Sequence, residues 1–377
     1  MGHAVRLEQE PGQPSRRQAG EAVLQWVNAG LQPAPFQPQA TTERLDWDTV
    51  ADLLFTHRLA TLALPGLRAA LAPVPADVLS QIERFGVLTS RMNAANLLSM
   101  RAILPRFKAA GIELVVFKGP IVQQLAYGSL FARPSSDVDL LVAPSDFDRS
   151  RPILEAAGYD LAAECQSIWW RAGLGEQHYQ GRVSAAATVD LHHRVQQPGC
   201  PLPKQMASLI ANRRTIEIAG QAVPTLSEVH GHLLTAMSFV KALHHREPAA
   251  RYVIDFVAYG QRQTPDHWLR LQAEAERQGL GNTVALTLRV CHLLFPGRDD
   301  LPQPSTRVLN HVSDAVLWDM TLHPGLKGLQ WPRRRTLLRA LYDRKLEYPL
   351  GFGIMVGSEL LRHLAATSRP PSSPETP

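Results

Sequence analysis

The sequence predicts an α+β protein, with a small mixed β-sheet core, helices packed on it, and helical regions flanking it on the N-terminal and C-terminal sides. Three observations carry this. Leu, Val, Ile and Phe recur at three- and four-residue intervals through residues 41–110 and again beyond residue 226, the period of amphipathic helices. Between those regions, IELVVF at 112–117 and DVDLLV at 137–142 are short apolar runs of the length and composition of buried strands. Glycine and proline punctuate the stretch between them, so that strand and helix alternate.

In chain order, residues 1–40 mix Gln, Pro, Gly and Arg and read as a flexible N-terminal arm, with a short amphipathic helix available to EAVLQWVNAGL. Residues 41–110 form a helical region that Gly111 stops. The core, 111–225, begins with the strand IELVVF, which Lys118, Gly119 and Pro120 end. Pro120 suits the first position of a helix, IVQQLAYG, closing at Gly128. DVDLLV is the second strand. The helix after it takes Ser145 as N-cap and Gly158 as stop. HYQGRV and ATVDLHH alternate as two strands of a hairpin that extends the sheet. Residues 226–365 are helical, through SEVHGHLLTAMSFVKALHH, RYVIDFVAYGQR and TPDHWLRLQAEAERQGL. The last takes Thr264 as N-cap, Pro265 as first helical residue and Gly279 as terminator. Residues 366–377, ending in SRPPSSPETP, read as a disordered tail.

With 377 residues and 45% hydrophobic content the chain can bury a sizeable core. Its 39 Lys and Arg against 34 Asp and Glu give a net charge of +5, a bias that suits anionic ligands such as nucleotides but is too weak to argue nucleic-acid binding. Cys165, Cys200 and Cys291 are odd in number and far apart without a C-x-x-C pair, so neither a disulfide framework nor a structural zinc site is suggested, and a reducing cytoplasm fits. The N-terminal residues lack the apolar core of a signal peptide. The most apolar stretch, Tyr348 to Leu361, contains Glu359 and falls short of the roughly 20 residues of a spanning helix. The expectation is a cytoplasmic protein without a membrane span.

Side chains alternate faces along a strand, so Asp137 and Asp139 project to one side while Val138 and Leu140 take the other. Two parallel carboxylates ask for a cation, and Mg²⁺ prefers one or two carboxylates plus substrate phosphates. A solvated edge strand would also accommodate a lone D-x-D. Asp190, in T-V-D-L-H, shares a strand face with His192 and offers a third carboxylate, or else a strand-end hydrogen-bond acceptor. In the turn Lys118-Gly119 the glycine permits close backbone approach to phosphates and the lysine adds charge. Arg133 suits either a phosphate or the acidic cluster. His230, His232, His244 and His245 lack the i, i+4 spacing of helical metal ligands and are expected to pack or to face substrate. Trp169 and Trp170, read on a strand, point to opposite faces, one filling the core.

In this order, a strand ending in a glycine turn, a helix, a strand bearing D-x-D and a later strand acid resemble the polymerase-β-like nucleotidyltransferase superfamily. More narrowly, FKGPIVQQLAYGSLFARPSSDVDLLV, LEAAGYDL and VDLHHRV resemble an uncharacterised bacterial nucleotidyltransferase family of that superfamily. The resemblance implies that Asp137 and Asp139 ligate two Mg²⁺ ions, for which Mn²⁺ can substitute, with Asp190 completing one. It also implies an NTP donor, gripped with Lys118, Gly119 and Arg133, and a hydroxyl acceptor on a small molecule, protein or RNA. The turn departs from the superfamily pattern because Pro120 follows Gly119 where Gly or Ser is usual. A phosphate-binding hydroxyl is thus missing, and Lys118 takes part of its role. The alternative is a nucleotide-binding or partner-binding protein that keeps this fold without catalysis.

Overall fold

A computed structural model describes residues 13–31, 45–70, 74–264 and 266–367, and the chain divides into two compact units, 1–88 and 89–377. The first unit holds α1 (Gln13–Leu31), α2 (Trp47–Thr56), α3 (Ala60–Arg68) and the opening turns of α4 (Ala76–Ala109). Within 13–31 the flexible arm is replaced by a 19-residue helix. Ala19, Ala22, Val23, Trp26 and Val27 form a buried stripe at helical spacing, and that stripe outweighs the Gln and Pro around it. A Cβ on Gly66 of α3 would lie 2.5 Å from the Trp26 backbone, so the two helices cross at backbone contact. The rest of the expected arm lies outside the described residues.

The second unit is built on a seven-stranded mixed sheet. Its strands are β1 (Leu114–Val116), β2 (Asp137–Val142), β3 (Tyr159–Leu161), β4 (Glu176–Gly181), β5 (Thr188–His192), β6 (Arg214–Ile218) and β7 (Gln221–Thr225), in the spatial order β3-β4-β5-β2-β1-β7-β6. β2 pairs parallel with β5 and antiparallel with β1, and β4 pairs antiparallel with β5. One sheet face supplies Val116, Val138, Leu140, Val189, Leu191 and Tyr179 to a core that also takes Met100, Ile103 and Phe107 of α4. The alternation of each strand therefore sends the polar residues of β2, β4 and β5 to the opposite face.

Around the sheet stand α5 (Pro120–Tyr127), α6 (Phe147–Ala156) and α7 (Met206–Ala211), followed by the C-terminal helices. These are α8 (Glu228–His245), α9 (Ala250–Gln261), α10 (His267–Gln278), α11 (Gly281–Leu294), α12 (Asp314–Leu322), α13 (Arg334–Leu341) and α14 (Tyr348–Thr367). Ser145 does not cap α6; it sits in a 3₁₀ turn, Pro144–Asp146, and Asp146 occupies the cap position without a side-chain bond to a helix N–H, its carboxylate pairing with Arg149 instead. Thr264 does not cap α10 either: the helix begins at His267, whose N–H bonds the Thr264 carbonyl, and the Thr264 hydroxyl meets the Arg270 side chain instead of a helix N–H. Pro265 lies outside the described residues, as does the tail beyond Thr367. Gly111, Gly128 and Gly279 stop their helices in the left-handed region as expected. Among the described residues no helix is long and apolar enough to cross a membrane, and the three cysteines are free and buried.

Candidate active site

The parallel register of β2 and β5 sets Asp139 directly opposite Asp190, and Asp137 opposite Thr188. The antiparallel register of β4 and β5 then sets His178 opposite Asp190 and Glu176 opposite His192. Six polar side chains from three adjacent strands thereby share one face: Asp137 and Asp139, Asp190 and His192, Glu176 and His178. Lys118, just past β1, enters from the other side and donates to Asp139 Oδ1 at 2.6 Å. His192 Nε2 lies 3.1 Å from the same oxygen, and its Nδ1 is 3.6 Å from Glu176 Oε2. His178 Nε2 is 2.9 Å from Glu176 Oε1 and 3.8 Å from Asp190 Oδ2. Asp137 is more open and takes a bond from the Ser136 hydroxyl at 3.3 Å.

The electrostatics divide these groups. Burial would raise Asp139, but Lys118 and His192 overcome it and hold the carboxyl down to about 2. Burial would likewise lower Lys118, but Asp139, Glu176 and Asp137 keep its ammonium well above the usual range. Asp190 goes the other way: burial and the neighbouring charges of Asp139 and Asp137 push it up to about 8. The Cys165 thiol and the Glu176 carboxylate raise His178 to about 11, while Glu176 is held low against its burial by His192 and His178. Asp190 Oδ1 is buried and has no hydrogen-bond partner among the described residues. Asp139, Asp190 and His192 each bring a ligand atom within 4.8 Å of the others. Asp139 and Asp190 would offer a divalent cation such as Mg²⁺ carboxylate oxygens, with the His192 nitrogen in the same group, while Asp137 stands outside it.

The turn between β1 and α5 owes its shape to Gly119, whose φ of 55° and ψ of −127° are strained for any residue with a Cβ. An added Cβ would also lie 2.7 Å from the Ser135 hydroxyl, so the turn is seated against the start of β2. Two buried asparagines of α4 hold the loop that leads into that strand. Asn93 donates to the carbonyls of Leu130 and Arg133 and accepts from the Ser135 N–H, and Asn96 donates to the Ser135 carbonyl. Gln123 of α5 accepts from the Arg133 N–H at 3.0 Å. The position of Asp137 is thus fixed by backbone bonds rather than by packing alone.

Arg133 is not in the carboxylate cluster. Its guanidinium binds Asp255 of α9 through Nε at 2.9 Å and Nη2 at 2.6 Å, and Tyr127 donates to the same carboxylate at 2.6 Å. Both carboxylate oxygens are engaged in a buried pair, which gives Arg133 a structural role. His192 is satisfied by Asp139 rather than by its strand neighbour Asp190. His230 bonds Glu274 at 2.7 Å, and His232 stacks on His267 in the buried helical core. Trp169 and Trp170 lie on a π-helical turn, Trp169–Leu174, and not on a strand; neither fills the core, and Trp170 meets the His178 ring edge-on at 4.8 Å. Glu176 and His178 were not readable as site residues, since only the pairing of β4 with β5 brings them to Asp190. The one available signal was their alternation, i and i+2, on the strand preceding VDLHH.

A family model described as an uncharacterised nucleotidyltransferase matches residues 43–296, more than half of the chain. No curated protein matches it.

Proposed function

We propose that this chain, which belongs to the uncharacterised nucleotidyltransferase family, moves a nucleoside monophosphate from an NTP to a hydroxyl acceptor and releases pyrophosphate. The observation that carries the reading is the opposition of Asp139 and Asp190 across β2 and β5, with a buried Asp190 oxygen left without a partner. Asp137, Asp139 and Asp190 are the residues to hold Mg²⁺, two ions on this reading, with Mn²⁺ as substitute. When bound, the metal supplies positive charge against the attacking and leaving oxygens of the α-phosphate. The protein does the rest by position. Lys118 and the backbone of the Gly119 turn face the β- and γ-phosphates, where an ammonium and a glycine approach suit the departing pyrophosphate. The acceptor oxygen bonds to the α-phosphorus as the bond to the bridging oxygen breaks, and Asp190 takes the hydroxyl proton.

One feature favours a second reading, binding without transfer: Pro120 gives the turn neither a hydroxyl nor a backbone N–H for a phosphate. Incubation with α-labelled NTPs, Mg²⁺ or Mn²⁺ and candidate acceptors separates the two. Wild type is expected to transfer label, and Asp139→Ala to lose at least about a hundredfold of the rate, the scale of removing one charge-stabilising group. NTP binding by wild type with no transfer to any acceptor would leave only the second reading. Release of label from γ-labelled NTP to the acceptor would instead mark a phosphotransferase.

A further inference from the structure

Linked to His178 of the carboxylate cluster through the Trp170–Trp169 pair lies a cleft of about 340 Å³. Trp169, Ser358 and Arg362 form one wall, and His244, His245 and Arg334 the other. The Trp169 indole donates to the Ser358 hydroxyl at 3.1 Å, and Arg362 lies over its ring at 5.7 Å. These contacts hold α14 against the π-helical turn. The volume is that of a small-molecule site.

The cleft is electropositive. Glu359 is its one acidic group, and Arg362 neutralises it at 2.8 Å. Arg334 pairs with no carboxylate among the described residues, so its charge is uncompensated. His244 and His245 each keep a buried ring nitrogen without a partner among the described residues. Burial, His245 and Arg334 hold His244 down to about 4, which leaves it neutral, with one N–H to donate at neutral pH.

Its position follows the direction of the reaction. Across the sheet, the Lys118 turn follows β1, Asp137 and Asp139 stand on β2, Asp190 on β5 and His178 on β4. From β4, Trp170 meets His178 at 4.8 Å, Trp169 meets Trp170 at 5.3 Å, and Trp169 lines the cleft. In-line displacement puts the attacking oxygen opposite the leaving pyrophosphate. With pyrophosphate at the Lys118 turn, the acceptor must arrive from the β4 side. Lys241 of α8, one turn before His244 and His245, carries a charge felt by both Glu176 and His245.

We infer that this cleft receives the acidic end of the acceptor, which is therefore a hydroxyl compound carrying a phosphate or carboxylate group long enough to reach past Trp169 and Trp170. This rests on the nucleotidyltransferase reading for the word acceptor, but the anion site can be tested without nucleotide or metal. In histidine-labelled protein, inorganic phosphate and acetate are titrated separately at constant ionic strength set with chloride, following the His244 and His245 ring resonances. These are assigned with His244→Gln and His245→Gln. Saturable shifts are expected with phosphate or acetate. Arg334→Ala, an exposed position that leaves folding intact, should weaken the binding about tenfold or more, as loss of a charged hydrogen-bond partner does. Tighter phosphate binding marks a phosphorylated acceptor and tighter acetate binding a carboxylated one. Absence of a saturable shift, or an affinity unchanged in Arg334→Ala, would overturn the inference. Neither outcome depends on whether Asp139 supports label transfer. If transfer is found and Arg334→Ala leaves the acceptor KM unchanged, the cleft binds an anion but not the acceptor, and the inference fails while the enzymatic reading stands.

Discussion

A carboxylate removed from water and placed beside two others carries a local cost that a bound cation would offset, and Asp190 is in that position. Its sign in the pH dependence is the reverse of an ordinary salt-bridged aspartate. The folded-state pKa of about 8 lies above the unfolded value near 3.9, so the folded protein holds the extra proton between those limits. Stability attributable to this group is present below about pH 4 and is lost as pH rises through 8. With chelator present, Asp190→Asn is therefore expected to unfold at higher urea than wild type, by a margin that grows from pH 5 to pH 8. In millimolar Mg²⁺ the order should reverse, because wild type gains binding free energy that the amide cannot offer. Urea midpoints in the four conditions check this, and a margin independent of pH would refute the assignment of the shift. Asp137, Asp139 and Asp190 were legible because each sits in a short apolar strand where a charge is conspicuous. Glu176 and His178 sit in a strand of mixed polarity, EQHYQG, where nothing marks one polar residue above another until the register of β4 on β5 is known.

Between elements, the most consequential contact away from the carboxylates is the buried pair of Arg133 and Asp255, which joins the loop before β2 to α9. The energy of such a pair is set less by its attraction than by what remains when one partner goes. Asp255→Ala would leave the Arg133 guanidinium buried without a counter-charge and Tyr127 without its acceptor. A loss of about 3–5 kcal/mol is expected in chemical unfolding. Arg133→Met with Asp255→Leu, which removes both charges, should recover most of it, and a double variant as unstable as the single one would show that something other than the orphaned charge is responsible. The same loop explains the mixed legibility of the elements. DVDLLV is a continuous apolar run, and its strand occupies 137–142 as its composition indicates. β6 and β7 were missed because their hairpin turns through Ala219 and Gly220, both at positive φ, without the Asn-Gly or Asp-Gly that signals such a turn, and because Pro224 lies inside a strand. The asparagines that fix the loop were hidden too: Asn93 and Asn96 lie in a long helix, and a polar residue there reads as solvent-facing until its partners are seen.

At the scale of the whole molecule, resistance to acid rests in part on histidines buried among the C-terminal helices. His232 of α8 and His267 of α10 stack with ring centroids 5.2 Å apart. His232 Nε2 donates to the Phe256 carbonyl at 2.9 Å, so its Nδ1 must accept from His267 Nε2, also at 2.9 Å. That pattern requires His232 neutral, and a proton added to its Nδ1 would set two donors against each other. Burial, followed by the proximity of His267, accordingly holds His232 well below the usual imidazole range. The folded pKa lies below the unfolded value near 6.5, so the unfolded chain gains a proton that the folded chain refuses. Stability is complete above about pH 6.5 and falls as pH drops below it, by up to about 1.4 kcal/mol per pH unit for one proton. His232→Gln keeps a donor for the Phe256 carbonyl and an acceptor for His267 while removing the group that titrates. Urea midpoints followed from pH 7.5 to pH 5 should fall more steeply for wild type than for His232→Gln, even if the variant starts lower at pH 7.5. The comparison cancels the carboxylates, which titrate alike in both proteins, and parallel curves would mean that the proton enters the unfolded chain at some other histidine, such as His244, which burial also depresses.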